Sequence, residues 1–273
     1  MILSPARLKT FRSLMLKQGR TRNGAFLVEG PQAVGEALRS KPEAIKTVLM
    51  TDIARVSHSD LLQLVLQTGT EFLEASDVDI SRLSQAQSPQ GVIAISRFID
   101  VKLETLPTDQ NAQFIFLNNI RDPGNLGNII RTADAAGVAG VLLTSGSVDI
   151  YNPKVVRAST GSIFNVPIVT GVALEECIAS LKQFGIRVIA ADVSGRSISD
   201  LEQQTFFHDA IVWLFGNEAH GLSNDDIAVA DEVVSVPIFG RAESLSLQTA
   251  AAICVYQSSF ARQGKKSRSR PLG

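Results

Sequence analysis

The sequence predicts an α/β fold in two parts, the second built on a parallel sheet. Three observations carry this expectation. Short apolar runs of strand type recur along the chain, and most are followed by apolar residues at helical spacing. Turn residues separate the two kinds of segment, and strands alternating with helices are the pattern of crossover units rather than of hairpins. At 273 residues, with 45% hydrophobic and 19% charged, the chain has the length for two ordinary domains and the composition of a soluble protein with a sizeable core.

Residues 1–24 read as a basic helix and a loop, with Leu3, Leu8, Phe11, Leu14 and Met15 as an apolar side. A strand follows at 25–29. Gly30 and Pro31 then turn the chain into a helix carrying Ala33, Val34, Ala37 and Leu38, and 45–50 is the next strand. Glu29 and Gly30, taken singly, read as ordinary turn residues. A helix over 60–67, short strands at 71–73 and 91–95, and the polar stretch 84–90 complete a first small α/β unit.

Between 97 and 113, Asp100, Lys102, Glu104, Pro107 and Asp109 show little periodicity and mark the linker, which sets expected domains of 1–105 and 106–273. The second domain opens on the buried strand 114–117 and a loop broken by Asp122, Pro123 and Gly124. A helix is expected to begin at Asn125, to carry Leu126, Ile129, Ile130 and Ala133 at helical spacing, and to stop at Gly137. Further strands are expected at 138–144, 187–191, 211–215 and 233–236, and further helices at 154–162, 175–184, 225–230 and 244–260. No internal repeat of solenoid length is apparent.

Charge and composition narrow the function. No run of about 18 apolar residues is present and no apolar stretch follows the basic N-terminus, so neither a membrane span nor a secretory signal is visible and a cytoplasmic location is expected. Cys177 and Cys254 lie far apart among apolar neighbours, which fits reduced core residues. Three scattered histidines offer no metal-ligand spacing, and His220 reads as a loop contact or spacer, so no metal is expected. A net charge of −1 argues against a uniformly basic nucleic-acid binder, yet the charges are unevenly placed. Arg7, Lys9, Arg12, Lys17, Arg20 and Arg22 have no acid between them; among these Arg7, Lys9, Arg12, Arg20 and Arg22 are the expected RNA contacts. Arg262, Lys265, Lys266, Arg268 and Arg270 form a second acid-free cluster, expected to be a flexible tail over 263–273.

Three stretches carry the candidate chemistry. On the helix after Asn125, Asn128, Arg131 and Ala135 share a face, which sets a guanidinium near an open N-terminal turn of the kind that holds phosphate. The competing reading is an Arg131 paired with a surface carboxylate. Gly216 after VWLF and Gly240 after VPIF either let a ligand approach the backbone or simply make tight turns. The phosphate loop GxxxxGK[ST] and a strand-following GxGxxG are both missing, which argues against an NTPase or a Rossmann methyltransferase.

Asn125, Gly127 and Arg131, then Gly216, Glu218 and Gly221, then Pro237, Gly240, Ser244 and Leu245 resemble the three motifs of the TrmH-like (SpoU) RNA 2′-O-ribose methyltransferases of the SPOUT class. The stretches RLKTFRSL and GAFLVEGPQAVGEAL resemble the ribosomal-protein-like substrate-binding domain that precedes the catalytic domain in ribosomal RNA members, so the resemblance spans nearly the whole chain. It implies a C-terminal parallel sheet with a deep trefoil knot, a bent S-adenosyl-L-methionine held by the knot loops, an RNA substrate, ribosomal before transfer RNA, and a homodimer. Gly216, Asn217, Val236, Ile238 and Leu245 match its cofactor positions, with Thr144 and Gly221 as neighbours. Arg131, Asn125, Glu218, Ser244 and Ser246 match its catalytic positions: Arg131 for electrostatic work on the ribose hydroxyl, Asn125 to orient the substrate loop, and Glu218 to order the motif loops or meet Arg131. One position departs, because members usually carry asparagine where this chain has Ser246. The departure leaves open a working variant or an RNA-binding relative without efficient catalysis. A transfer RNA 2′-O-methyltransferase and a knotted enzyme that modifies a base are the other rivals, the last disfavoured by Asn125, Arg131 and Ser244.

Overall fold

The computed structural model divides into two compact units, Met1–Ile99 with Asp149–Asn165, and Asp100–Val148 with Val166–Gly273. It describes residues 2–107, 109–201, 207 and 209–268. The first unit carries a four-stranded mixed sheet of β1 (Ala25–Glu29), β2 (Ile45–Met50), β3 (Glu71–Glu74) and β4 (Val92–Arg97). Its order is β1-β4-β2-β3, with β4 antiparallel to both neighbours and β2 parallel to β3. On one face Leu27, Leu49, Leu73, Ile93 and Ile95 pack with Phe11, Ile80 and Leu83 of the flanking helices and with Leu3 and Leu14 just outside the first of them. On β1, Phe26 meets Tyr151 and Phe164, with ring centroids 4.6 and 6.0 Å away. The helix expected at 154–162 is Pro153–Ser159, and it packs on β1 within this unit although its sequence neighbours belong to the second.

The expected single N-terminal helix is two, Pro5–Ser13 and Lys17–Asn23. Gly19 lets them meet, since a Cβ there would lie 1.9 Å from the Ser13 carbonyl oxygen. Two short helices, Asp52–Ser57 and Asp77–Leu83, escape the sequence pattern because they bury only one or two residues each. Their starts are capped by the Thr51 and Ser76 hydroxyls, which accept from the Ala54 and Asp79 N–H groups.

The second unit holds β5 (Gln113–Leu117), β6 (Gly140–Thr144), β7 (Ile168–Val172), β8 (Arg187–Ser197), β9 (Ile211–Phe215) and β10 (Glu232–Ser235). All pairings are parallel, in the order β10-β8-β9-β5-β6-β7, as the alternation predicted. Strand β7 was not anticipated; it is an edge strand whose Thr170 and Gly171 are exposed, so no continuous apolar run marks it. The central β5 and β9 are buried throughout.

The last helix runs Leu247–Arg268, starting later and ending later than expected, and packs against the helix Pro123–Ala136 and β9. Trp213 Nε1 donates to Ser258 Oγ at 3.0 Å, and Gln113 Nε2 donates to the Val255 carbonyl at 3.1 Å. Arg262, grouped by sequence with the basic tail, instead donates to the carbonyls of Asn111, Phe207 and Asp209 at 2.6 to 2.8 Å. Burial pulls its guanidinium down to about 10, which leaves it charged at neutral pH. The helix passes 263, where the tail was expected to begin, and 269–273 lie outside the described residues. Cys177 and Cys254 are buried and unpaired, and burial pushes both thiols up to about 12. No described helix is long and apolar enough to cross a membrane.

Candidate functional site

At the C-terminal ends of β9 and β10, beside the middle of β8, a cleft of about 290 Å³ opens against the head of the last helix. Val234, Val236, Ile238 and Leu245 supply apolar wall, while Asn217 and Ser244 supply polar groups. The arrangement suits a ligand with a flat apolar part and a polar tail. Gly216 is the exit from β9, and the loop beyond it closes on itself through Asn217 and Gly221, whose backbones exchange hydrogen bonds of 3.1 and 2.8 Å. A Cβ on Gly216 would lie 2.1 Å from the Gly221 carbonyl carbon. It is therefore the protein's own backbone, not only a ligand, that requires a glycine here. At Gly240 no protein atom lies within 4 Å of an added Cβ, so the chain's own packing does not require a glycine there.

Glu218 knits the loops together. Its carboxylate accepts from the Arg121 N–H at 3.0 Å, the Asp122 N–H at 2.9 Å and Asn125 Nδ2 at 3.4 Å. Asp122, not Asn125, caps the helix Pro123–Ala136: its side chain accepts from the Asn125 N–H at 2.7 Å, and Pro123 takes the first turn. Gly137 ends the helix with φ 68°, as expected. The Asp122 carboxylate thus already serves the first turn and Glu218 the two N–H groups just before it, which leaves less of the open turn that was expected to hold a phosphate. Asn128, on the face that carries Arg131, donates to Gln248 of the last helix.

Arg131 is exposed and has no hydrogen bond or ion pair among the described residues; neither Glu218 nor another described carboxylate meets it. Asn125 and Glu218 come together, as do Gly216, Asn217, Glu218, Gly221, Val236, Ile238, Ser244 and Leu245 around the cleft. Three expected residues stand apart, and the first is Arg131, which is outside the cleft lining and bonds to none of the described residues. Thr144 is outside the cleft lining, and its hydroxyl accepts from the Asn119 N–H at 2.8 Å. Ser246 is also outside the lining and stands at the head of the last helix, its hydroxyl 2.8 Å from Thr249 Oγ1. Asparagine and serine are near equivalents at a helix start, so the departure at 246 removes no group from the cleft wall. Sequence reasoning missed Asp192, which lines the cleft from β8; no motif marks it.

The basic stretch divides in two. Arg20 is buried: its guanidinium donates to Asp149 at 2.5 and 3.1 Å and to the carbonyls of Leu14 and Met15. Arg7 pairs with Glu71 at 2.5 and 2.7 Å and lies over the Phe11 ring. These two side chains are taken by the fold, which corrects their expected place among RNA contacts; Lys9, Arg12 and Arg22 are exposed.

Comparison with known proteins agrees with this geometry. Residues 112–256 match the SpoU rRNA Methylase family, and residues 6–94 match the MRM3-like substrate binding domain. The chain is 34% identical to the 23S rRNA (guanosine(2553)-2′-O)-methyltransferase RlmP of Bacillus subtilis, over 92% of this chain and 94% of that one. It is 29% identical to the 23S rRNA (uridine(2479)-2′-O)-methyltransferase of Streptomyces viridochromogenes, over 92% and 88%. Among solved structures, the AdoMet-bound rRNA methyltransferase from Sinorhizobium meliloti superposes with a TM-score of 0.82 at 30% identity, covering 94% of this chain and 95% of that one. The SpoU methyltransferase AviRb from Streptomyces viridochromogenes in complex with AdoMet gives 0.83 at 29% identity, covering 95% and 99%.

Proposed function

This chain belongs to the SpoU rRNA Methylase family, and on that premise we propose that it transfers the methyl group of S-adenosylmethionine to a ribose 2′-hydroxyl of ribosomal RNA. The observation that carries the reading is the cleft at Gly216, closed by Glu218 onto the loop whose helix presents an Arg131 with no partner among the described residues. Relatives at similar identity are named for different 23S nucleotides, so the reading stands at the level of ribosomal RNA.

The residues present fit the cofactor. Val236, Ile238 and Leu245 offer apolar contact to adenine, and the loop held by Asn217 and Gly221 leaves Gly216 bare against the cleft. S-adenosylmethionine, when bound, supplies a methyl group activated on a sulfonium. The chain's own task is to position a hydroxyl and ease its deprotonation. A guanidinium keeps its proton at neutral pH, so Arg131 serves by holding a phosphate of the RNA and stabilising charge that develops on the ribose oxygen. Asn125 is kept in place by Glu218, and Ser244 supplies a hydroxyl at the cleft mouth.

The domain division at 105/106, the trefoil knot, a cytoplasmic site of action and a C2 homodimer belong to the same reading. The helix Leu247–Arg268 follows the edge strand β10 yet returns to the centre of the sheet, which suits a chain threaded through a loop. Phe260 on that helix is 63% exposed and Phe239 beside the cleft is 95% exposed, and both suit burial against a second copy. The test uses labelled S-adenosylmethionine and ribosomal RNA from cells lacking the gene, followed by mapping of 2′-O-methyl positions. Ribose methylation restored at one site is expected; cofactor binding without transfer to any ribosomal RNA would overturn the assignment.

A further inference from the structure

A second crevice, of about 580 Å³, shares Asn217, Ala219 and Gly221 of the 217–221 loop with the cofactor cleft. It sits where β5 and β9 adjoin, and there the sheet changes direction: β6 and β7 continue on one side of β5, while β8, β9 and β10 occupy the other. Crevices outside the carboxyl ends of strands at such a switch are the usual ligand sites of open α/β sheets. Asn118, Arg121, His220 and Asp226 line it.

The floor is built rather than incidental. Asn119 holds φ 57°, and three contacts pin it there. Its N–H donates to Thr144 Oγ1 at 2.8 Å, its carbonyl accepts from Asn217 Nδ2 at 2.8 Å, and its side chain fills the place of a Cβ on Gly146, with Oδ1 only 1.9 Å from that position. Strained residues persist when the surroundings hold them, and they gather at functional sites. Next to it, Asn118 is only 8% exposed. Its Oδ1 accepts from Asn119 Nδ2 at 3.1 Å, but its amino group has no partner among the described residues. Turning the amide over sets its amino group against that of Asn119 and loses the bond, so in either orientation at least one buried polar end lacks a partner among the described residues. Buried polar groups are nearly always hydrogen-bonded, and an orphan in the lining of a crevice points to a ligand; Asn118 lines this crevice and the adjoining one beside Thr144 and Gly146. The Arg121 guanidinium is exposed, has no partner among the described residues, and lies over Gly146.

We propose that this crevice receives an unstacked base of the substrate RNA, from a nucleotide flanking the methylated one, with its phosphate on Arg121. The inference rests on the ribosomal RNA reading above. A side-chain amide is suited to a base edge, an imidazole such as that of His220 to a base face, and the guanidinium to a phosphate at the rim. Asp226 accepts from the Ser223 N–H at 2.9 Å and lines the same space. Its carboxylate turns a phosphate away from the interior and leaves an acceptor for a base amino group.

The test compares wild type with Asn118→Asp and Arg121→Ala on ribosomal RNA from cells lacking the gene, and measures S-adenosylmethionine affinity by calorimetry. Asn118→Asp keeps the shape and the bond from Asn119 while removing the amino group. Each variant should raise KM for the RNA by about tenfold, the size of one base or phosphate contact, with the rise in KM rather than kcat and cofactor affinity unchanged. Should Asn118→Asp fail to fold, Arg121→Ala and His220→Ala, both at exposed positions, carry the comparison. KM within about twofold of wild type in the folded variants would overturn the subsite. If Asn118→Asp weakens binding of an arbitrary single-stranded RNA as much as of ribosomal RNA, the contact does not read a base and the proposal fails. A wild type that binds the cofactor but methylates no ribosomal RNA defeats the parent reading and this one with it.

Discussion

Two arginine-bearing regions look alike in sequence and behave oppositely in the fold. In the N-terminal helices Arg20 is drawn under the surface onto Asp149 and two carbonyls, and Arg7 is locked onto Glu71. On the helix Pro123–Ala136, Asp122 caps the helix, Glu218 holds the loop backbone and Asp134 has an interaction of its own, while Arg131 has no partner among the described residues. A guanidinium that the fold has already satisfied holds structure; one kept clear of acids remains available to an RNA phosphate. A cluster of like charges therefore says little about binding until the location of every carboxylate is known.

The contrast is most strongly tested at Arg20. Arg20→Ala should destabilise the protein by about 3 kcal/mol, because it leaves a largely buried Asp149 uncompensated. Denaturant unfolding measures this, and turnover per folded molecule should hold. Arg131→Ala should do the reverse: a loss of about 100-fold in turnover, the size of removing one donor from a developing oxyanion, with the melting temperature and S-adenosylmethionine affinity unchanged. A variant that melts early, or one that turns over normally, breaks the contrast from the catalytic side.

A smaller effect is expected at the Arg7 and Glu71 pair. The Arg7 hydrogen bond is the largest cause holding the Glu71 carboxyl down at about 2, from 4.5. Its folded value is the depressed one, so the stabilisation is complete above 4.5 and is lost as pH falls toward 2. Both side chains are about one-third exposed, so solvent screening keeps the contribution to about 1 kcal/mol or less. Glu71→Gln should remove that part of the acid sensitivity, and equal pH profiles for the two proteins would count against it. Least of all should follow from Ser246→Asn, where stability is expected within a few tenths of a kcal/mol of wild type and turnover within about twofold. A large loss or gain of methyl transfer would return Ser246 to the reaction.

Much of this was legible in one dimension. Apolar runs marked nine of the ten strands, the edge strands β1, β3 and β10 among them, and β7 escaped because the exposed Thr170 and Gly171 interrupt its run. Asp122, Pro123 and Gly137 bounded the central helix, although its cap fell three residues before Asn125. The order of the glycine-bearing loops identified the family, and the cleft then formed around Gly216, Val236, Ile238, Ser244 and Leu245.

The sequence alone determined most of the strands and helices, the turn that bounds the central helix and the order of the motif loops, since these follow from interactions among residues a few positions apart. The tertiary structure decided the rest. It alone placed Asp149 against Arg20, 129 residues away, and the Glu218 carboxylate against the Asp122 N–H, 96 residues away. It set the Gly221 backbone where a side chain on Gly216 would stand, moved Pro153–Ser159 into the first unit, and left one end of the Asn118 amide facing open space. Hydrogen bonds, ion pairs and close backbone approaches act over a few ångströms, and no local pattern records which distant residues the folded chain brings within that reach.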